Sequence, residues 1–262
     1  MTTAELSAPS EGQAVVSMGI PNLETKMPAA RLGVAVVRSL VDVIVTGVLK
    51  PGDLLPAEGA LTAQFGVSRT VLRESIKRVE EKGLLTVSQG RGTTVNPTSS
   101  WDVADETVLA AMIDHDDSLG ILDEVSAVRA SLESLMARDA AIRASVEEAD
   151  QLRKALRAME LALDDPSAFR QADINFHRLV MAISDSRLAA SIAHSLSDRA
   201  VESQRYHGRD PERAFELTID EHRQVLDAIA SGDSAGAEAA MRSHIEGSWQ
   251  RRRLPVAGKS RH

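Results

Sequence analysis

A mainly α chain is what the sequence predicts, on three observations. Aromatic residues make up only 3% of its 262 positions, while Ala and Leu are abundant, a balance that favours helix over sheet. Segment after segment spaces its apolar residues at i, i+3 and i+4, the period of a helix with one buried face. Strand-prone runs are confined to one short stretch, residues 84–95.

Taken in order, residues 1–28 are rich in Ser, Thr, Ala, Gly and Pro without a period and read as a flexible arm. A helix from Ala29 to Thr46 follows, its apolar side marked by Val37, Leu40, Ile44 and Val48 and its end by Gly47 and Pro51-Gly52. A short helix over 57–65 sets Leu61 and Phe65 four apart. Gly66 and Val67 turn the chain into a second helix, capped by Ser68 and running to Lys82. On it Val71, Leu72, Ser75, Ile76 and Val79 gather on one side, and Arg69, Arg73 and Lys77 on another. Arg69 sits in the first turn, where the helix dipole disfavours a cation by about 0.3–1 kcal/mol. A basic residue there points to a partner outside the helix, such as phosphate or a guanine edge; the bland alternative is a solvated basic face.

Gly83 stops this helix. LLTVS (84–88) and TTV (93–95) then bracket Gln89-Gly90-Arg91-Gly92, a hairpin with a glycine-rich tip. The tip is not a phosphate-cradling loop, since no Lys-Ser/Thr follows and it joins two strands. Helix, helix-turn-helix and hairpin make residues 29–96 an N-terminal winged helix-turn-helix with a small β-hairpin wing. Its second helix would enter the major groove and its wing would lie along the backbone or minor groove.

Pro97 and Ser99-Ser100 suggest a linker over 97–105. Helical segments then fall at 103–114, 118–144, 146–163, 167–184, 187–206, 212–231 and 234–251, with short breaks. They predict a C-terminal all-α antiparallel helical bundle, residues 106–251. Residues 252–262 read as a basic tail.

Charge separates the halves. The net charge is −8, yet residues 31–95 carry +3 and residues 96–250 carry −14. A basic module joined to an acidic one allows a nucleic-acid partner for the first alone. The sequence has no cysteine, which excludes disulfides and thiolate metal sites and fits a reducing cytoplasm. No apolar run approaches the roughly 20 residues of a membrane span, and the N-terminus shows no secretory pattern.

Three of the seven histidines fall on inward-facing positions of the second half. Asp173 and His177 are four apart and flanked by Phe169, Phe176 and Val180. His222 shares a stripe with Val225, Leu226 and Ile229, and His244 with Ala240 and Met241. An inward carboxylate must be neutralised. One Asp oxygen with three imidazoles suits a divalent ion such as Zn²⁺, Ni²⁺ or Mn²⁺. Each histidine taken singly reads more readily as a hydrogen-bonded core residue than as a ligand, and it is the four together that point to a metal.

The run from Val45 to Val95, with LLPAEGALTAQFGVSRTVLRESI at its centre, resembles the DNA-binding domain of the GntR family of bacterial transcription regulators. That resemblance implies DNA contacts at Arg69 and Arg73, with Ser68, Thr70 and the wing residues Gln89 and Arg91 beside them. Gly59 departs from the pattern, where the family often has arginine. Residues 121–247 resemble the FCD ligand-binding domain of the FadR-type branch. The motifs are VRASLE (128–133), DINFH (173–177), EHRQVLDAIASGD (221–233) and MRSHI (241–245). They imply metal ligands at Asp173, His177, His222 and His244, with positions left on the ion for a carboxylate effector. Arg129 is the candidate for a second effector contact; its alternative is an i, i+4 pair with Glu133. Arg187 stands where the branch often has a pocket asparagine.

Together these readings predict a homodimeric repressor on a pseudo-palindromic operator, controlled by a small organic-acid or sugar-acid effector at a metal site. The competing reading is a metalloenzyme domain fused to a DNA-binding module. It is disfavoured by the lack of an HExxH pairing and of an obvious second carboxylate near the ligands to act as base. A third reading makes the helical half a dimerisation scaffold with structural histidines.

Overall fold

Amphipathic helices need a partner for their apolar faces, and here they find it within two separate units, divided after Trp101. The computed structural model describes residues 29–203 and 213–253. The expected N-terminal arm, most of the basic tail and the ends of two expected helices, at 204–206 and 212, lie outside the described residues.

In the first unit, α1 (Ala29–Val45), α2 (Glu58–Phe65) and α3 (Arg69–Glu81) precede a hairpin of β1 (Leu85–Ser88) and β2 (Gly92–Val95). α1 buries Val37, Leu40 and Ile44 as expected, but Val48 is 52% exposed and Leu49 is buried instead. The helix ends at Val45 and Gly47 turns at φ 73°, so the 3.6-residue stripe does not extend to Val48. α3 lies against α1, and there Ser75 Oγ donates to the carbonyls of Val71 and Gly33 at 2.8 and 3.2 Å. Gly66, at φ 64°, closes α2 and hands the chain to α3, a left-handed conformation that suits glycine. The strands pair antiparallel, Leu85 opposite Val95 and Ser88 opposite Gly92. A bridge between Leu54 and Thr94 adds a pairing that the sequence did not reveal.

A short 3₁₀ turn, Thr98–Ser100, occupies part of the expected linker. The second unit contains α4 (Glu106–His115), α5 (Gly120–Arg143), α6 (Val146–Leu161), α7 (Pro166–Ser184), α8 (Arg187–Glu202), α9 (Ala214–Ser231) and α10 (Ser234–Arg252), with no strand among the described residues. Their starts follow local chemistry. Ser145 and Glu148 form a capping box on α6, Asp165 caps α7 with Pro166 in its first turn, and Asp233 caps α10. Helix α5 runs through the middle of the bundle, packed by α7, α8, α9 and α10. Phe169, Phe176, Val225, Ile229 and Met241 lie in its main core. None of the described helices is long and apolar enough to cross a membrane.

Candidate functional site

Two surfaces carry chemistry, one in each unit. On the first, Ser68, Arg69, Thr70 and Arg73 are exposed at the start of α3, and Gln89 and Arg91 are exposed at the hairpin tip. Ser68 is the helix cap, its Oγ accepting from the Val71 N–H at 3.3 Å. Arg73 has a partner that the sequence reading overlooked. Its Nε and Nη2 donate to the two oxygens of Glu58 at 2.7 and 3.0 Å. That hydrogen-bonded pair lowers the Glu58 carboxyl and raises the Arg73 guanidinium from their ordinary values. Beside it, a Cβ added to Gly59 would meet nothing within 4 Å, so the missing arginine is a loss of side chain and not a packing requirement.

The second surface is built by α5, α7, α9 and α10. Asp173, His177, His222 and His244 each offer an atom, and the four atoms lie within 4.8 Å of one another. His177 Nε2 is 3.2 Å from His222 Nε2 and 3.3 Å from His244 Nε2, and Asp173 Oδ1 is 3.7 Å from His222 Nε2. Two nitrogens each about 2.1 Å from one ion are about 3.0 Å apart at a right angle and about 3.4 Å apart at a tetrahedral angle. The two nitrogen–nitrogen separations fall in that interval, and the 3.7 Å to the Asp173 oxygen lies just beyond it. Two facing imidazole nitrogens can share only one proton between them, so a cation suits three better than the imidazoles suit each other. The donor set therefore fits a borderline divalent ion.

Burial is the largest influence on all three rings. It pushes His222 well below the ordinary histidine range, helped by the charges of His244, His177 and Arg252, and it lowers His244 against the pull of Glu221. For His177 burial is outweighed by Glu133, so its pKa is raised.

The sequence reading missed the residues that hold these rings. Glu133, only 1% exposed on α5, has Oε2 2.7 Å from His177 Nδ1, while its Oε1 accepts from Arg129 Nε at 2.8 Å. Burial alone would raise the Glu133 carboxyl, but Arg129 and His177 outweigh it and hold it at about 2. Across the site, Glu221 Oε2 lies 2.9 Å from His244 Nδ1, and Arg251 pairs with both Glu221 oxygens at 2.7 Å. Arg251, Glu221 and His244 form a hydrogen-bonded chain that holds one imidazole from behind, while Glu133 Oε2 meets His177 Nδ1 as an ion-pair contact without hydrogen-bond geometry. His222 Nδ1 is buried with no hydrogen-bond partner among the described residues; the Phe176 ring, 4.4 Å away between centroids, packs against it. These carboxylates correct the expectation that none lies near the ligands. The signal was present: Glu133 interrupts an inward stripe of Ala130, Ala137 and Ala140, and Glu221 adjoins His222.

A cleft of about 740 Å³, counted out to its mouth, opens beside this cluster. Asp173, His177, Arg129, Arg178 and Arg252 line it, an electropositive setting for an anion. Arg129 pairs with Glu133, the alternative considered for it, and also borders the cleft. Arg187 is not part of the lining; its side chain is 94% exposed, 3.9 Å from Asp185.

Comparison with known proteins follows the same division. Residues 32–95 match the model for bacterial regulatory proteins of the gntR family, and residues 124–247 match that for the FCD domain. A galactonate operon transcriptional repressor of Escherichia coli (strain K12) is 33% identical over 210 residues, covering 79% of this chain and 91% of its own. The HTH-type transcriptional regulator LutR of Bacillus subtilis (strain 168) is 28% identical over 206 residues, covering 77% and 92%. Among solved structures, that of Lar, which controls expression of the Listeria monocytogenes agr system, superimposes with a TM-score of 0.55. It is 18% identical and spans 88% of this chain and 100% of its own, a likeness of fold alone.

Proposed function

The chain belongs to the GntR family of bacterial regulatory proteins, in the FadR-type branch with an FCD domain, and from that premise we propose that it is a homodimeric, metal-dependent, effector-controlled repressor. It is a DNA-binding transcription regulator and not an enzyme, so the two carboxylates behind the histidines serve to orient ligands and not to activate water. Arg69 and Arg73, with Ser68, Thr70, Gln89 and Arg91, contact the operator. One short helix reads too few base pairs for a genomic site, so two copies act on a pseudo-palindrome. Asp173, His177, His222 and His244 hold a divalent ion such as Zn²⁺, Ni²⁺ or Mn²⁺, which when bound offers further positions to an anionic oxygen. A small organic acid or sugar acid binds there, and Arg129 supplies a second contact. The relative's name, which refers to a galactonate operon, supports an effector of this class. Effector binding alters the placement of the two DNA-binding units through residues 97–105, so operator affinity and effector affinity are reciprocally coupled.

The observation that carries this reading is the convergence of three imidazole Nε2 atoms and one carboxylate at the edge of an arginine-lined cleft. Its test is a screen of organic and sugar acids for thermal stabilisation of zinc-loaded protein, followed by operator release with the best ligand. Stabilisation that vanishes with chelator, accompanied by release, supports the reading. Turnover of the acid overturns it.

A further inference from the structure

We propose that Trp249, near the end of α10, couples the metal centre to α4, so that the first helix of the second unit is ordered when the histidines hold an ion. The inference rests on the metal reading above and names the route by which that site reaches the helix entered directly from residues 97–105.

The Trp249 indole has neighbours of three kinds. It lines a second cavity at the cluster together with His177, His244 and Arg252. It is also buried in a small core with Leu109 and Ile113 of α4, Leu122 and Val125 of α5 and Ala200 of α8. Its Nε1–H donates to Asp123 Oδ1 at 2.7 Å, and the other Asp123 oxygen accepts from Arg253 Nη2 at 2.8 Å. One carboxylate in the first turn of α5 thus grips the end of α10 at two residues four apart. A buried indole N–H needs an acceptor, so this grip fixes the ring that fills the core under α4. His244 lies on the same stretch of helix. Ser248 and Arg252 follow it at i+4 and i+8 on one face, and Arg252 donates to Ser248. With His244 committed to an ion, that face of α10 is pinned, and Trp249 with it. Arg199 of α8 also reaches α4, at Glu106, 2.8 Å away, but Glu106 is 68% exposed and a surface ion pair holds little. The order of α4 therefore depends on Leu109 and Ile113, whose core contains Trp249. Binding at the histidines that favours the ordered end of α10 raises the population in which α4 is docked. Asp123, Trp249 and Arg253 fall outside residues 124–247, the span that matches the FCD domain, so the clamp belongs to this chain's own helix ends.

The test is hydrogen–deuterium exchange on the full chain, with zinc and with chelator, read at peptides from α4. In the wild type zinc should slow α4 exchange at least about fivefold. Asp123→Ala removes the grip at a residue that does not line the cavity, and Trp249→Phe keeps a ring in the core and removes the N–H. Both should bind zinc within about threefold of the wild type by chelator competition, keep the zinc-dependent slowing at α7 and α9, and reduce the α4 response below about twofold. A larger α4 response in either folded variant overturns the inference alone, as does a wild type in which zinc binds and leaves α4 unchanged. Loss of zinc affinity in step with the α4 response also overturns it, since the pair would then only support the site. Should Asp123→Ala fail to fold, Trp249→Phe decides. Failure of zinc to bind the wild type overturns the metal reading and this inference with it.

Discussion

Glu133 stands between Arg129 and His177, one oxygen 2.8 Å from the guanidinium and the other 2.7 Å from the imidazole Nδ1. A side chain only 1% exposed cannot be a surface ornament, and its position directs the opposite ring nitrogen toward His222 and His244. Carboxylates behind metal-bound histidines fix the tautomer and raise ligand basicity. Glu133→Gln keeps the shape and removes the charge. We expect it to lower zinc affinity 10- to 100-fold, measured by competition with a chromogenic chelator. Unchanged affinity in a folded variant would remove Glu133 from the metal centre.

The first unit contains a similar arrangement at α3, the helix proposed to face DNA. Glu58 occupies Nε and Nη2 of Arg73, which leaves the remaining guanidinium edge to face a base or phosphate with its plane already set. Arg73→Ala should weaken operator binding about 10- to 100-fold at matched salt. Glu58→Gln should weaken it by a smaller factor without changing the melting temperature, because both groups lie at the surface. Fluorescence anisotropy on labelled operator reads both. Tighter binding by the Glu58 variant would show that the pair withholds Arg73 instead of positioning it.

How much of this was legible in the sequence depended on range. The start of α3 was visible because Ser68 acts on its own next turn. The meeting of Asp173, His177, His222 and His244 was visible because Asp173 and His177 share one helix face, and because the flanking apolar residues show which way His222 and His244 point. Glu133 was read only as a possible local partner of Arg129, since its contact to His177 joins α5 to α7 and leaves no periodic trace. Arg251 on Glu221 and Trp249 on Asp123 are likewise products of helix packing. The Leu54–Thr94 bridge was hidden for the same reason, as was the exposure of Val48, which needed the exact end of α1.

Acid should weaken the metal-stripped protein in two stages. His222 and His244 have depressed pKa values in the fold, chiefly from burial. The unfolded chain therefore takes up protons near pH 6.5 that the folded site refuses, and stability falls as pH drops below that value. His177, raised by Glu133, acts with the opposite sign: its contribution is present below about pH 6.5 and is lost as pH rises through its folded value. Two depressed rings against one raised ring give a net fall between pH 7 and 5. Below pH 4.5 Glu133 adds a second loss, since its folded pKa is about 2 and its stabilisation disappears as pH approaches that value. Calorimetric melting in chelator across pH 7 to 3 checks both stages. A flat profile from pH 7 to 5 would contradict the neutral character assigned to His222 and His244.

The metal set itself is best tested by two ligands that differ in burial. His222 is fully buried against Phe176, so His222→Ala opens a cavity and lowers the melting temperature of apo protein as well as removing a ligand. Metal loss in that variant alone would be ambiguous. Asp173 is 27% exposed at the cleft edge, and Asp173→Ala should leave the apo melting temperature within about 2 °C, as surface changes usually do. Zinc at about 100 times its dissociation constant stabilises the wild type by about 2.7 kcal/mol, or roughly 5–10 °C for a domain of this size. The Asp173 variant should lose most of that increment while its apo form stays intact, and the His222 variant should lose both. A full zinc increment in the Asp173 variant would reduce the centre to three histidines.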